Sequence, residues 1–460
     1  MKLNRVMLAA PKSGSGKTTI TCALLQTLKN KGMQVVSYKC GPDYIDPMFH
    51  EKVIEVPSKN LDTFFTGEEV TRKLFLKDRT EQDFAVLEGV MGLYDGLGGV
   101  REEGSSYHLA EVTDTPIILV VDAKGMGRSI LPLIKGFLAY DKKKLIQGII
   151  LNRMSKSYYE IIKPLIESEL KIAVVGYFPE QKQLYIDSRH LGLVMPDEQT
   201  DIKKQLLFAA EELTKTVSIE KVIQIAEHAK ELPDSCGYET EKKVLPVDKN
   251  APVIAVAKDE AFCFYYEDNL RMLKEYGAEI RYFSPIHDKK LLEECDALLL
   301  GGGYPELYAK ALSTNYSMRM AVKEAAAQSM PIVAECGGFM YLHSAITDKS
   351  GERYEMAGVL PAECFYTGKL VRFGYIELEE KENIFFLAGE KIKGHEFHYY
   401  DSTENGFRCE ARKPVTGRSY SCVLAGDTYW MGFPHLYYPS NPAFAKSFVQ
   451  KAEKYKENKK

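Results

Sequence analysis

The sequence predicts an α/β protein of two domains, each built around a largely parallel sheet. Its 460 residues exceed what one hydrophobic core usually supports. In the first half, short apolar runs bounded by Gly, Asp or Asn alternate with amphipathic stretches, which is typical of βαβ units. The alternation stops between Pro233 and Pro252, where prolines and charges are frequent, and then restarts.

The apolar runs place the strands of both halves. In the first half they predict strands at Arg5–Ala9, Gln34–Tyr38, Phe84–Leu87, Ile117–Val121, Gly148–Leu151 and Ile172–Gly176. In the second half they predict strands at Pro252–Ala257, Glu279–Phe283, Ala297–Leu300 and Ile332–Ala334. A helical segment at 201–231 closes the first half, and the pattern becomes β-like and aromatic from 353 to 429 before a last helix at 442–455. We expect domains at 1–235 and 251–460, joined by a linker at 236–250.

Composition excludes several classes of protein. Hydrophobic residues make up 45% and charged residues 27%, with a net charge of -4, so the chain is not expected to bind nucleic acid. The nine cysteines include no CxxC pair, which argues against a disulfide framework or a structural zinc site and for a reducing, cytoplasmic location. The apolar run Val6–Ala10 is too short for a signal peptide, and we expect no membrane span.

A glycine-rich turn lies between the first strand and the predicted helix Ile20–Lys31. Backbone N–H groups of such a turn converge on phosphate oxygens, and the following helix adds the positive end of its dipole. Lys17 is placed to reach the β- and γ-phosphates and Thr18 to coordinate Mg²⁺. Pro11 stands where the usual pattern has Gly, and the alternative is an ordinary Gly/Ser turn that carries a lysine. The predicted nucleotide contacts are Gly14, Gly16, Lys17, Thr18 and Thr19.

Acidic residues follow three further strands of the first half. The residues concerned are Asp43 and Asp46 after the second strand, Glu88 and Asp95 after the third, and Asp122 after the fourth. Ligands of open parallel sheets gather at the carboxyl ends of strands, so these carboxylates are expected near the nucleotide, as Mg²⁺ ligands or as groups that orient substrate. A turn or helix cap is the alternative for any single acid. Asn152, after the fifth strand, is expected either to read an adenine edge or to serve as a turn residue.

The second half contains a candidate nucleophile. Cys336 follows an apolar strand and precedes Gly337 and a helix, so the sharp turn should expose the thiol and the helix dipole should lower its pKa. The N–H groups of Gly337 and Gly303 are the predicted oxyanion donors. The alternative is a cysteine that only packs in the core, and Ala334 departs from the usual Gly-x-nucleophile-x-Gly pattern.

A base is needed to activate such a thiol. His435 follows a strand near the end of the sequence and suits a Cys-then-His order along the chain. His395 and His398 alternate along another strand-like segment. They are rival candidates, either as substrate contacts or as structural residues.

Taken together, the motifs resemble the cobyrinate a,c-diamide synthase family along essentially the whole chain. The motifs that carry the resemblance are Ser13–Thr19, Gly41–Pro47, Glu88–Gly96, Arg189–Leu193, Gly301–Glu306, Glu335–Gly338 and Gly394–His398. The resemblance implies a P-loop synthetase domain similar to dethiobiotin synthetase, fused to a class I glutaminase domain. It further implies amidation of the a and c acetate side chains of cobyrinate, with one ATP and one glutamine for each.

The resemblance also implies roles for particular residues. It places Cys336 as the glutaminase nucleophile and His435 as its base. It implies Mg²⁺ ligands at Thr18, Asp46 and Glu88, and tetrapyrrole contacts at Asp43, Tyr44 and Asp95. Tyr437 stands where ordinary class I glutaminases carry a Glu, as is usual in this branch, so the orienter of His435 is left unassigned.

Two kinds of alternative function stay open. Close relatives of the family amidate hydrogenobyrinate or nickel sirohydrochlorin, and cobyric acid synthase uses the same chemistry. A P-loop ATPase switch of the partition-protein type, with an inactive second domain, is the alternative from another class. The oligomeric state is open, a homodimer included.

Overall fold

The computed structural model describes residues 1–181, 196–233 and 250–459. They form two compact units, Met1–Tyr238 and Glu239–Lys460. Both units are α/β, so the predicted fold class is confirmed. Apart from Asn250, the linker expected at 236–250 lies outside the described residues, and so does the Arg189–Leu193 motif.

The first unit is built on a sheet of seven strands within its described residues. The strands are β1 (Asn4–Ala9), β2 (Gln34–Cys40), β3 (Ser58–Leu61), β4 (Asp83–Glu88), β5 (Ile117–Asp122), β6 (Ile146–Asn152) and β7 (Ala173–Phe178). They lie in the order β3-β2-β4-β1-β5-β6-β7, and all neighbouring pairs are parallel. The order reverses at β1, which is the switch point where ligands bind in doubly wound sheets.

Helices connect these strands and cover the sheet. They are α1 (Lys17–Asn30), α2 (Ile45–Phe49), α3 (Thr63–Leu76), α4 (Ser106–Val112), α5 (Ile130–Tyr140), α6 (Lys156–Leu170), α7 (Pro196–Thr216) and α8 (Ile219–Glu227). The helical segment expected at 201–231 is therefore present as two helices. The sequence does not predict strand β3, because it has only four residues, three of them polar, and lies at the sheet edge, where no apolar run is required.

The second unit has a mostly parallel central sheet in the order β10-β8-β11-β13-β23-β22, whose last pair is antiparallel. Its strands are β8 (Val253–Ala257), β10 (Glu279–Phe283), β11 (Ala297–Leu300), β13 (Ile332–Glu335), β22 (Leu424–Gly426) and β23 (Tyr429–Gly432). The four predicted strands are all present. Its helices are α9 (Glu267–Glu275), α10 (Ala309–Thr314), α11 (Tyr316–Ala327), α12 (Gly337–Leu342) and α13 (Pro442–Lys459).

The β-like region predicted from 353 to 429 forms smaller sheets beside this one. An antiparallel sheet in the order β21-β20-β17-β18-β24 uses β17 (Arg372–Glu380), β18 (Lys391–His398), β20 (Cys409–Arg412), β21 (Ser419–Cys422) and β24 (His435–Leu436). A second sheet uses β14 (Ala345–Thr347), β15 (Arg353–Glu355), β16 (Glu363–Tyr366) and β19 (Tyr400–Ser402), and a pair joins β9 (Phe262–Phe264) to β12 (Gly302–Gly303).

A fully buried arginine ties the end of the first unit to its first strand. The guanidinium of Arg5 donates to the carbonyl oxygens of Thr113 at 2.8 Å, Asp114 at 3.1 Å and Lys230 at 2.6 Å. Burial lowers the pKa of Arg5 to about 10, which leaves it charged at neutral pH. Through these hydrogen bonds one side chain links β1 to the turn after α4 and to the segment after α8, and so stabilises all three.

We expect Arg5→Leu to destabilise the first unit by about 3 kcal/mol, since it leaves several backbone carbonyls unpaired. Scanning calorimetry of the full chain measures this as a lower transition midpoint for that unit. The matched control is Arg128→Leu, whose side chain is 66% exposed and forms a surface ion pair with Glu169, so its effect should stay within about 0.5 kcal/mol. Equal midpoints for the two variants would contradict the role given to Arg5.

Candidate functional site

The phosphate loop lies between β1 and α1, at the carboxyl edge of the first sheet. Gly16 precedes α1 with φ of 88°, a left-handed conformation that a glycine adopts without strain. A side chain at Gly16 would also collide with Asn152, which ends β6. The Asn152 amide donates to the carbonyl oxygen of Ser15 at 2.7 Å and its Oδ1 accepts from the N–H of Arg153 at 3.0 Å. Asn152 therefore holds the loop in shape, and its contact with an adenine stays a prediction.

The two side chains expected to handle phosphate and metal point to the neighbouring strand β4. Lys17 Nζ donates to the carbonyl oxygen of Met91 at 2.6 Å, and the Thr18 hydroxyl donates to Oε1 of Glu88 at 2.6 Å. Burial, then the nearby charge of Lys39, lowers the pKa of Lys17 to about 8. An anionic phosphate beside Lys17 would raise that pKa again and keep the lysine charged.

The acids that follow β2 and β4 lie close together, as predicted. They surround Lys39, a residue that the sequence motifs do not single out. Lys39 Nζ lies 3.0 Å from Glu88 Oε1, contacts Asp46 Oδ2 directly and lies 3.9 Å from Asp43 Oδ2. Lys39 is paired with Glu88 in the parallel register of β2 and β4. The sequence signal for this cluster was the charge of Lys39 within the largely apolar strand Gln34–Cys40, because a buried lysine needs charged or polar partners.

Charge balance decides the protonation of this cluster. Burial acts to lower the pKa of Lys39, but Asp46 and Glu88 outweigh it and raise the pKa well above its usual value. Burial acts to raise the pKa of Asp46, but Lys39, His50 and hydrogen bonds to the carboxylate together outweigh it and lower the pKa. Burial, then Asp46, raises the pKa of Glu88 to about 7. Glu88 is therefore the group of this cluster whose charge responds most readily to an added cation.

The residues predicted to contact substrate lie near the same edge. Asp43 Oδ1 accepts from the N–H of Ile45 at 2.8 Å and so also caps the turn into α2, which was its alternative role. Asp95 Oδ2 accepts from the N–H of Gly92 at 2.9 Å, in the loop that follows β4. Tyr44 is 7% exposed. Their contacts with a tetrapyrrole stay predictions.

In the second unit, Cys336 lies on a strained turn between β13 and α12. Its φ of 46° and ψ of -101° lie in a region that non-glycine residues rarely adopt. Such strain costs on the order of 1–3 kcal/mol and is typical of a nucleophile elbow. The Cys336 N–H donates to the carbonyl oxygen of Gly432 at 2.8 Å, which fixes the turn to the neighbouring strand β23.

The loop after β11 borders the elbow. The N–H of Gly338 donates to the carbonyl oxygen of Gly301 at 2.9 Å, and a Cβ on Gly337 would lie 3.1 Å from the nitrogen of Gly303. The Gly337 N–H also hydrogen-bonds the Cys336 sulfur and partly offsets the effect of burial on its pKa. The structure thus brings together the two glycines expected to supply oxyanion donors.

His435 borders the same loop. A Cβ on Gly302 would collide with its ring and would lie 3.1 Å from Nδ1. His435 starts β24 and is paired with His395 of β18, and the two rings stack with centroids 4.9 Å apart. Tyr437, two residues after His435, donates to Oδ2 of Asp268 at 2.7 Å. An acid is therefore present beyond the tyrosine that replaces the usual Glu.

The two rival histidines have other partners. His395 Nδ1 lies 3.1 Å from the hydroxyl of Tyr266. His398 Nδ1 donates to the carbonyl oxygen of Tyr400 at 2.6 Å, and its ring stacks on Phe433 with centroids 4.1 Å apart. These contacts support structural roles for both, and they leave His435 as the base candidate beside the glycine loop.

The expected depression of the thiol pKa is wrong for this structure. Burial, then the charge of Glu306, raises the pKa of Cys336 well above its usual value. The helix that follows has only six residues, so its dipole does not offset the loss of solvent. Burial, then repulsion from His398, lowers the pKa of His435 to about 3. The resting pair at neutral pH is therefore a thiol and a neutral imidazole.

Comparison with known proteins identifies a domain family in each half of the chain. Residues 6–194 match a family model described as the CobQ/CobB/MinD/ParA nucleotide binding domain, and residues 253–419 match one described as the CobB/CobQ-like glutamine amidotransferase domain. The fold and the two sites thus define a nucleotide-binding domain fused to a glutamine amidotransferase domain.

Relatives that match nearly the whole chain identify the family within this class. A cobyrinate a,c-diamide synthase of Caldanaerobacter subterraneus is 41% identical, with 94% of this chain and 94% of the relative covered. Those of Picrophilus torridus and Listeria innocua are 38% and 37% identical, and the matches cover at least 96% of this chain and 98% of each relative. The chain belongs to the cobyrinate a,c-diamide synthase family, as its motifs predicted.

None of the helices in residues 1–181, 196–233 and 250–459 is both long enough and apolar enough to cross a membrane.

Gly302 gives a direct test of the second site. Gly302→Ala should displace the His435 imidazole and lower glutamine hydrolysis about 100-fold, because a misplacement of about 1 Å can cost that much. Stopped assays of glutamate release measure the loss. Gly136→Ala is the control, since it lies in helix α5 with nothing within 4 Å of the added methyl group. Wild-type glutaminase activity in Gly302→Ala would show that His435 is not the base.

Proposed function

We propose that this chain is an ATP-dependent ligase that amidates the a and c acetate carboxylates of cobyrinate with ammonia from glutamine. The substrate is supported by the names of relatives that are 37–41% identical along nearly the whole chain. The chemistry is supported chiefly by one observation: Cys336 lies on a strained elbow whose next residue, Gly337, borders the glycine loop that also contacts His435. A cytoplasmic location, where ATP and glutamine are supplied, is part of the proposal.

In this proposal residues 1–235 form the amido-ligase domain and residues 251–460 the glutaminase domain, joined by a linker at 236–250. A carboxylate does not react with ammonia in water, so it must first be activated. The substrate carboxylate attacks the γ-phosphate of ATP to give an acyl phosphate and ADP. Lys17 and the backbone N–H groups of the loop offset the charge that develops on the transferred phosphoryl group. Ammonia then displaces phosphate and forms the carboxamide.

The residues at this site fit a magnesium ion bound with ATP. The oxygens of Thr18 and Glu88 lie 2.6 Å apart, and both are hard ligands of the kind Mg²⁺ prefers. Among the described residues no group of three or more His, Cys, Asp or Glu is arranged as a metal cage. Mg²⁺ does not need such a cage, because it binds through one or two protein groups plus phosphates and water. Thr18 and Glu88 would hold the ion, with Asp46 beside them, and the bound ion would neutralise phosphate charge.

The glutaminase half of the proposal uses the neutral Cys336–His435 pair. His435 takes the thiol proton as the sulfur attacks the glutamine carboxamide, and the N–H groups near Gly337 and Gly303 stabilise the oxyanion. Collapse of that intermediate expels ammonia after His435 returns the proton to the leaving nitrogen. Water then hydrolyses the thioester to glutamate, with His435 acting as the base a second time.

Two alternative functions can be tested by assays of amide formation and ATP hydrolysis. The same chemistry on hydrogenobyrinate or nickel sirohydrochlorin would appear as turnover of those acids, and not of cobyrinate, in a panel of tetrapyrroles. A P-loop ATPase switch of the partition-protein type would hydrolyse ATP without glutamine and make no amide. The strained elbow at Cys336 favours the ligase over the switch.

Cys336→Ala should abolish glutamine-dependent synthesis and leave synthesis with ammonium chloride within a few-fold of wild type, since the thiol serves only ammonia release. Amide formation is measured by mass spectrometry with each nitrogen source. Cys409→Ala is the control, since Cys409 is also buried but lies in β20, in a different part of the core. Glutamine use by Cys336→Ala would end the assignment of the nucleophile.

Lys17→Ala should lower synthesis on the order of 10³-fold with either nitrogen source, because both need the acyl phosphate. The loss should be matched in positional isotope exchange of ATP, which reports phosphoryl transfer directly. Lys12→Ala is the control, because Lys12 lies exposed in the same loop. Near-normal ammonium-dependent synthesis in Lys17→Ala would contradict the role of the loop.

A further inference from the structure

His50 is a buried histidine in the first unit that the proposed reaction does not use. It follows α2 and begins a short π-helical turn, His50–Ile54, with no exposed surface. Its Nδ1 lies 2.9 Å from the hydroxyl of Ser37 in β2 and 3.4 Å from that of Ser58 in β3. Its Nε2 points the other way and lies 3.5 Å from Oε2 of Glu88.

The two facing atoms have no hydrogen-bond partner elsewhere among the described residues. Both His50 Nε2 and Glu88 Oε2 are fully buried polar atoms. An unsatisfied polar atom in such a position is unfavourable, so each atom favours closing the gap to the other. A separation of 3.5 Å is long for a hydrogen bond, but contacts of this kind often tighten when a site binds its ligand.

The protonation of the ring follows from its neighbours. An ionised Glu88 only accepts hydrogen bonds, whereas the hydroxyl of Ser37 is able to donate. The favourable arrangement therefore has Ser37 donating to Nδ1, with the N–H on Nε2 directed at Glu88.

Glu88 is thereby constrained on both of its oxygens. Oε1 accepts from Thr18 at 2.6 Å and from Lys39 at 3.0 Å, while Oε2 faces His50. A carboxylate that binds a metal works best when the surrounding protein fixes its orientation, and removing such a partner typically costs about 10- to 100-fold in metal affinity.

We propose that His50 is a positioning residue for the ATP–Mg²⁺ site: its Nε2–H holds Oε2 of Glu88, so that Oε1 is presented beside Thr18. The inference rests on the proposed function, which places Mg²⁺ and ATP at Thr18 and Glu88. The path from Ser37 through His50 to Glu88 links three elements of one unit, β2, the turn after α2, and β4.

The experiment uses the full chain and three substitutions of one residue. His50→Gln keeps an N–H donor at about the reach of Nε2, His50→Asn places its donor only at about the reach of Nδ1, and His50→Leu has none. Calorimetry measures binding of the ATP analogue adenylyl imidodiphosphate at graded Mg²⁺ concentrations and in EDTA. Thermal midpoints of each variant are recorded alongside.

We expect the half-saturating Mg²⁺ concentration to rise about 10- to 100-fold in His50→Leu and His50→Asn and to stay close to wild type in His50→Gln. Binding in EDTA should be the same in all variants, because the loop contacts the phosphates without the ion. The comparison of Gln with Asn decides the question even if the Leu variant does not fold.

Three results would overturn the inference. Equal Mg²⁺ dependence in the Gln and Asn variants would show that no donor at the Nε2 position is needed. If analogue binding depends on Mg²⁺ and no His50 variant alters that dependence, the inference fails while the proposed function stands. A wild-type protein whose analogue binding ignores Mg²⁺ would overturn the proposed function and, with it, the role of His50.

Discussion

Parallel pairing of strands is the constraint on which both candidate sites depend. Because neighbouring strands run in one direction, the residues that follow them meet at one edge of each sheet. In the first unit this pairing sets Glu88 opposite both Leu8, before the phosphate loop, and Lys39. In the second unit it sets the turn of Cys336 between the strands that lead to Gly301 and His435. Each site is assembled from loops whose starting points the sheet has already fixed.

Much of this arrangement follows from the sequence, for a physical reason. Strands buried on both faces must be almost wholly apolar, so β1, β5 and β13 appear as short uninterrupted hydrophobic runs. The phosphate loop and the cysteine elbow are also local, because each is a turn between one strand and one helix. Their residues, Lys17 and Cys336 among them, are consequently recognisable from consecutive sequence.

What the sequence does not show is the environment that distant segments create. In the sequence Lys39 is a single charge within an apolar strand. Only the structure shows that Asp46 and Glu88 surround it. The thiol of Cys336 has a raised pKa, whereas the turn alone predicts a lowered one, because desolvation depends on everything packed over it. His50 and Glu88 are 38 residues apart, and only the pairing of β2 with β4 brings their side chains together.

The neutral state of the Cys336–His435 pair has a consequence for the chemical durability of the protein. Peroxide and disulfide reagents attack thiolates far faster than thiols, and a cysteine that is 7% exposed and protonated is a poor target for both. The proposed nucleophile, held in this form, would resist oxidative loss between turnovers. The same burial that makes the cysteine slow to ionise therefore acts as its protection against sulfenic acid formation.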